Sequence, residues 1–275
     1  MLRDITLGQY YQAESVIHSL DPRTKLTGTF VFILSLFIFK SAAVTLVATL
    51  FLVSVIRLSN VPFKFMIRGM KSIFFILMIT VVFNLFLTPG IPVVTFFGFT
   101  ISREGIAIAF FTGIRLIYLI IGSSVMTLTT TPNNLTDGLE ALMNPLRVFR
   151  VPVHELAMMM SIALRFIPIL MEEMDKIMKA QEARGADFES GNILKRAKAL
   201  VPILVPLFIS AFRRANDLAL AMEARCYRGG EGRTKMKPLI YKRADHIAYF
   251  VLILYIALII AAGLFIRIPE GIFFK

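Results

Sequence analysis

Residues Ile247 to Ile266 run for twenty positions without one charged side chain. At ~1.5 Å per residue, a helix of that length matches the ~30 Å hydrocarbon core of a bilayer. That run constrains the chain more than any other feature, and it points to an integral membrane protein. Composition agrees, because 57% of the 275 residues are hydrophobic, against about 45–50% in soluble domains. Ile106 to Leu128 is a second candidate span, interrupted only by Arg115, and Ser72 to Leu87 is a shorter one that stops at Thr88-Pro89-Gly90. Leu26 to Ile56 holds thirty-one residues with the single charge Lys40. One helix of that length would run about 46 Å, too long for a single crossing. Two short helices broken at Lys40-Ser41 fit better, as two crossings or as a re-entrant pair. The expected fold class is an all-α integral membrane protein with about five transmembrane helices plus long cytoplasmic helices.

Charge gives the orientation. The stretch 57–71 carries Arg57, Lys64, Arg68 and Lys71 with no acid, whereas 88–104 carries only Arg103, balanced by Glu104. The positive-inside rule places the first in the cytoplasm and the second outside. The N-terminus then lies inside if Leu26–Ile56 crosses twice. Residues 129–246 stay inside, and Ile247–Ile266 leads the C-terminus out. The net charge of +12 would suggest nucleic acid in a soluble protein. Here contact with the lipid bilayer explains it, and no nucleic-acid partner is expected. No signal-peptide pattern is seen, since residues 1–25 carry Arg3, Asp4, Glu14, Asp21, Arg23 and Lys25 before any apolar core. Cys226 is the only cysteine, which excludes an internal disulfide. With His18, His154 and His246 far apart, no Cys/His metal cluster and no cofactor are expected.

The chain therefore divides into a leader with membrane helices (1–128), a helical segment at the cytoplasmic face (129–246) and a last membrane helix with its tail (247–275). Within the middle segment, Pro132 suits a helix first turn, and Asn144-Pro145 closes that helix. Val151-Pro152 opens a long helix reaching Gly185, with Pro168 expected to kink it. It is apolar from Val153 to Met171 apart from Arg165, then polar from Glu172 to Glu182, where Glu172–Lys176 and Asp175–Lys179 have the favourable i,i+4 spacing. Another long helix is expected from about Ser190-Gly191-Asn192 to Arg225. It opens on Lys195, Arg196 and Lys198, carries Pro202 and Pro206 in its apolar stretch, and turns polar again at Arg213, Arg214 and Asp217. Each helix is long enough to lie along the interface with its apolar stretch packed against other helices.

The two long helices end alike. Glu182-Ala183-Arg184-Gly185 closes the first, and Glu223-Ala224-Arg225-Cys226 closes the second. Glycine past a helix is a normal stop, and an arginine in the last turn suits the helix dipole. Two ordinary helix ends are one reading. The other uses shape: an arginine flanked by small residues at a free helix end can enter a protein groove and pair bidentately with a carboxylate. Two such tips suit a partner with two similar grooves, and each would act as the end of a lever.

These signatures resemble those of the transmembrane coupling component (EcfT, or T component) of energy-coupling factor transporters, which are ABC-type importers. The resemblance covers nearly the whole chain. It begins at His18-Ser19-Leu20-Asp21-Pro22-Arg23-Thr24-Lys25-Leu26 and continues through Leu164-Arg165-Phe166-Ile167-Pro168. It includes Ala180 to Asp187 and ends with Ala219 to Gly230. It implies that Ala183, Arg184 and Gly185 dock into one cytoplasmic ATPase and that Ala224, Arg225 and Cys226 dock into another. Cys226 departs from the pattern by replacing a glycine, which puts a tight turn there in question. The resemblance further implies two ABC-type ATPase subunits and a small substrate-binding membrane subunit as partners, with vitamins or metals as cargo. The chain itself would be a non-catalytic subunit, and it carries no G-x-x-x-x-G-K-[ST] loop for ATP.

Other residues have plainer readings. Arg115 within a span either faces the bundle or snorkels. Arg165 can pair with an acid such as Glu155 or meet a lipid phosphate. Glu172, Glu173 and Asp175 alternate with lysines as a solvated face does. The fourteen methionines, including Met158-Met159-Met160, suit adaptable packing or a sliding contact. Asn84 and the Thr127–Thr131 run suit helix packing, and His154 reads as structural. A membrane-embedded enzyme would need a convergent polar set within the spans, and only isolated Arg115 is present. An ordinary ABC permease would carry one coupling helix per chain, not two arginine-tipped ones.

Overall fold

The computed structural model describes residues 10–38, 41–70, 73–96, 99–188, 192–230, 234 and 236–265. The first long helix starts where local chemistry dictates. Pro22 occupies the first helical position, where its missing N–H costs nothing. Asp21 precedes it, and its Oδ1 accepts the Arg23 backbone N–H at 2.9 Å. The helices in chain order are α1 (Val16–Ser19), α2 (Pro22–Ile38), α3 (Ala42–Ser59), α4 (Phe63–Met70) and α5 (Phe74–Leu87), followed by α6 (Arg103–Thr129), α7 (Pro132–Met143), α8 (Val153–Ala183), α9 (Ile193–Ala224) and α10 (Arg243–Phe265). Leu26–Ile56 does divide, with α2 ending at Ile38 and α3 starting at Ala42; Lys40, half of the expected break, lies outside the described residues. The stretch 88–104, expected outside the membrane, holds an antiparallel hairpin, β1 (Pro92–Phe96) with β2 (Phe99–Ser102), Phe96 opposite Phe99. Mixed apolar and threonine residues gave no turn signal strong enough to announce it.

Five described stretches are long and apolar enough to cross a membrane: Ala42–Ser59, Arg103–Thr129, Val153–Ala183, Lys198–Ala224 and Arg243–Leu264. This is an all-α membrane protein with a small hairpin. Three of these stretches are expected spans. The other two belong to α8 and α9, so length and composition alone do not separate those helices from spans. The helices α2 and α5 are shorter, with 17 and 14 residues, or about 26 and 21 Å. Both long helices continue through their prolines, Pro168 in α8 and Pro202 and Pro206 in α9. The chain forms two compact units, Met1–Leu142 with Leu239–Lys275, and Met143–Pro238.

In the first unit, α2, α3, α6 and α10 pack around one core. The core residues recur at helical spacing: Val44, Ala48 and Leu52 on α3, Ile121, Val125 and Leu128 on α6, and Leu252, Tyr255, Ile259 and Ala262 on α10. The opposite faces of the same helices are just as apolar, with Leu46, Leu50, Phe250 and Ile253 all exposed. That inside-and-out greasiness fits lipid as the surrounding solvent. Tyr255 stacks on Phe51 with ring centroids 4.2 Å apart, and its hydroxyl meets Ser35 Oγ at 2.7 Å. Thr49 Oγ1 and the Tyr118 hydroxyl make a second interhelical pair at 2.6 Å, so these four hydroxyls among the spans are matched rather than left bare.

One end of this bundle is tied by a polar knot. The Asp245 carboxylate is fully buried and accepts from three groups. Lys242 N–H donates to Oδ2 at 2.8 Å, while Asp21 N–H and the Thr24 hydroxyl donate to Oδ1 at 2.7 and 3.1 Å. One carboxylate thus caps the N-termini of α2 and α10 together, which fixes them as parallel neighbours. Lys25 Nζ donates to Thr129 O at 2.9 Å at the end of α6, and to His18 O at 3.1 Å. At the end of α3, Asn60 Nδ2 donates to Glu14 O at 3.3 Å. The starts of α2 and α10 and the ends of α3 and α6 therefore share one face, and the β1–β2 hairpin precedes the opposite end of α6. Arg23 holds Asp21 through two bonds of 3.0 Å, and its guanidinium lies 3.8 Å from the Tyr241 ring centroid. Burial would raise the Asp21 pKa, but the hydrogen bonds from Arg23 outweigh it and hold the carboxyl below its ordinary value.

Candidate functional site

The two arginine-bearing tips lie in the second unit at the ends of α8 and α9. At the first, Gly185 takes φ +88°. Gly185 N–H donates to Glu182 O at 2.9 Å, and Ala186 N–H reaches back to Gln181 O at 3.0 Å. This crossed pair, with a left-handed residue between, is the Schellman stop that satisfies the last carbonyls of a helix. The second tip repeats it. Cys226 N–H donates to Glu223 O at 2.8 Å, Tyr227 N–H donates to Met222 O at 3.0 Å, and Cys226 takes φ +54°. The turn in question at Cys226 is therefore made, by a residue with a Cβ. Arg184 and Arg225 occupy equivalent positions, one residue before the left-handed turn. Ala183, Arg184 and Gly185 are exposed, as are Ala224, Arg225 and Cys226. The small neighbours leave both guanidinium stems uncrowded, and Gly185 has nothing within 4 Å of where a Cβ would stand.

An L-residue in the left-handed region costs ~1–2 kcal/mol, while glycine carries an entropic penalty of ~0.5–1 kcal/mol. Cys226→Gly will therefore keep the turn and firm it by roughly 0.5 kcal/mol. Gly185→Val will loosen the first tip by about 1–2 kcal/mol. Hydrogen exchange at the Gly185, Ala186, Cys226 and Tyr227 amides reads both effects, slower in the first variant and faster in the second.

The structure does not bring the two triads together. Glu173 on α8 pairs with Arg214 on α9 at 2.9 Å, and Ile162, Arg165 and Phe166 share a cavity with Arg214, Asp217 and Leu218. Later residues of α9 thus meet earlier residues of α8, so the helices run in opposing directions. From this contact region α8 continues about 24 Å to its tip and α9 about 17 Å to its own, which sets the tips at most about 40 Å apart. Much of the intervening surface is apolar and bare, with Phe208 and Phe212 on α9 64% and 65% exposed. Such a surface needs lipid or protein against it. Among the described residues, no group of three or more His, Cys, Asp or Glu is placed to hold a metal ion.

The family described as "Cobalt transport protein" matches residues 13–236. The chain is 54% identical to the energy-coupling factor transporter transmembrane protein EcfT of Clostridium kluyveri over 250 residues, 90% of this chain and 93% of that one. It is 46% identical to EcfT of Bacillus subtilis over 260 residues, 94% of this chain and 98% of that one. The chain belongs to the EcfT family. The family match includes both tips, 183–185 and 224–226, and the leader from Ser15 to Lys25. As an EcfT member, the chain is the transmembrane component of an energy-coupling factor transporter. Asp245, the hub of the knot, stands beyond residue 236, where that match ends. In the sequence, Asp21, Arg23, Thr24 and Lys25 show only as part of a leader motif. Its partner Asp245 is 224 positions from Asp21, and the only hint was an acid at the third position of a helix otherwise free of acids.

Proposed function

We propose that this chain transmits ATP-driven movement of two ABC-type ATPase subunits to a separate small substrate-binding membrane subunit, for uptake of vitamins or other micronutrients. One observation carries the reading: two exposed arginines sit in the same Schellman geometry at the ends of two opposed helices. A single partner groove has no use for a second, spatially separate copy of the same tip. Two related ATPases have two. Each arginine enters one groove and pairs with a carboxylate there, so that approach of the two ATPases moves both levers. The chain supplies no catalysis of its own.

The tips then face the cytoplasm. Purification in mild detergent followed by mass spectrometry tests the assembly. Two ATPases and one small membrane protein should co-purify with the chain, and recovery of the chain alone refutes the reading. Orientation has a built-in reporter, since Cys226 is the only cysteine and is exposed. With the chain expressed without ATPases, a membrane-impermeant maleimide should label Cys226 in inverted vesicles and not in intact cells. Labelling from outside would reverse the topology.

A further inference from the structure

In the first unit, α1, α2, α3, α6 and α10 line a half-open cavity of about 230 Å³. Its walls are apolar over most of their extent, with Phe32, Phe51, Val55, Val125 and Val251 among them. Glycines make the room. A Cβ on Gly122 would stand 2.8 Å from the Phe32 ring, whereas one on Gly28 would meet nothing within 4 Å. The cavity turns polar at the knotted face, where Thr24, Lys25 and Thr129 line it. Lys25 has three N–H donors. Two go to His18 O and Thr129 O, which leaves one without an acceptor among the described residues. A long greasy slot ending in an unspent ammonium donor at the level of the helix ends matches an amphiphile with an anionic head.

The geometry points to a specific lipid site: one acyl chain of an anionic phospholipid fills this cavity, with its phosphate on Lys25. The charge selects the headgroup, and the glycines admit the chain. The site stands apart from the arginine tips and does not depend on what they dock into. It would make an anionic lipid part of the bundle at the face where four helix ends meet.

The chain has no tryptophan, so one introduced on the cavity wall is a clean reporter. The full chain with Met126→Trp, and separately with the outward-facing Phe250→Trp, is placed in phosphatidylcholine nanodiscs with a minor fraction of lipid brominated on its acyl chains. Brominated phosphatidylglycerol should quench the Met126→Trp signal about fivefold more than the Phe250→Trp signal, the enrichment one interfacial lysine supplies. Brominated phosphatidylcholine should quench the two alike. Lys25→Met should abolish the excess, and Gly28→Leu should do so by filling the slot. Equal quenching at both positions by phosphatidylglycerol overturns the site. So does an excess that phosphatidylcholine reproduces or that Lys25→Met leaves unchanged. If Gly28→Leu does not fold, the Lys25→Met comparison decides alone.

Discussion

Arg184→Glu combined with Arg225→Glu will abolish co-purification of the ATPases and ATP-driven uptake, while insertion and folding of the chain persist. Both side chains are exposed, and neither has an ion-pair partner among the described residues, so the fold loses no contact with them. A glutamate at a helix C-terminus opposes the dipole by only ~0.3–1 kcal/mol. Docking loses far more. Removing one partner of a buried, hydrogen-bonded charge pair costs about 2–5 kcal/mol, and reversal adds like-charge repulsion. Each site alone should therefore weaken binding by roughly 30-fold or more. On the proposed docking both tips engage one assembly, and the first contact holds the second at high effective concentration. A single reversal should leave weak, salt-sensitive association, and the double reversal none. Affinity capture through a tagged ATPase and uptake in cells read both. Normal uptake by the double variant would remove the docking role from the tips.

Asp245→Ala will destabilise the membrane bundle by about 3–5 kcal/mol, the range for stripping the partner from buried hydrogen-bonded groups. Three donors lose their acceptor at once: Asp21 N–H, the Thr24 hydroxyl and Lys242 N–H. Two of them belong to helix N-termini, where unsatisfied N–H groups and the positive dipole ends are concentrated. Asp245→Asn should lose less, because its amide oxygen still accepts while the charge is gone. Thermal unfolding of the purified chain separates the two variants. An alanine variant as stable as the parent would mean that water, rather than Asp245, satisfies these groups.

These two sites were unequally legible in the sequence. The tips could be read because each is local. Glu-Ala-Arg followed by a small residue carries its cap chemistry within a few positions, and the motif occurs twice. The spans could be read from uncharged runs such as Ile247–Ile266, since length against bilayer thickness is a one-dimensional criterion. The break near Lys40-Ser41 followed from the same arithmetic. The knot could not be read that way, because Asp21 and Asp245 come together only after α2 and α10 lie side by side. The left-handed turn at Cys226 was hidden for a different reason. Residue type argues against it, and the two hydrogen bonds that enforce it are set by the helix ahead of it. The second strand of the β1–β2 hairpin packs against α5 and α6, contacts that no local pattern announces.

A cell that makes this chain in excess of whatever covers α9 holds a subunit with Phe208, Ile209 and Phe212 turned outward. Quality-control proteases and chaperones recognise such surfaces. Where that cover is protein, the amount of this chain at steady state will follow the supply of its neighbours rather than its own rate of translation. Matched synthesis of the set, rather than strong expression of one member, becomes the condition for accumulation.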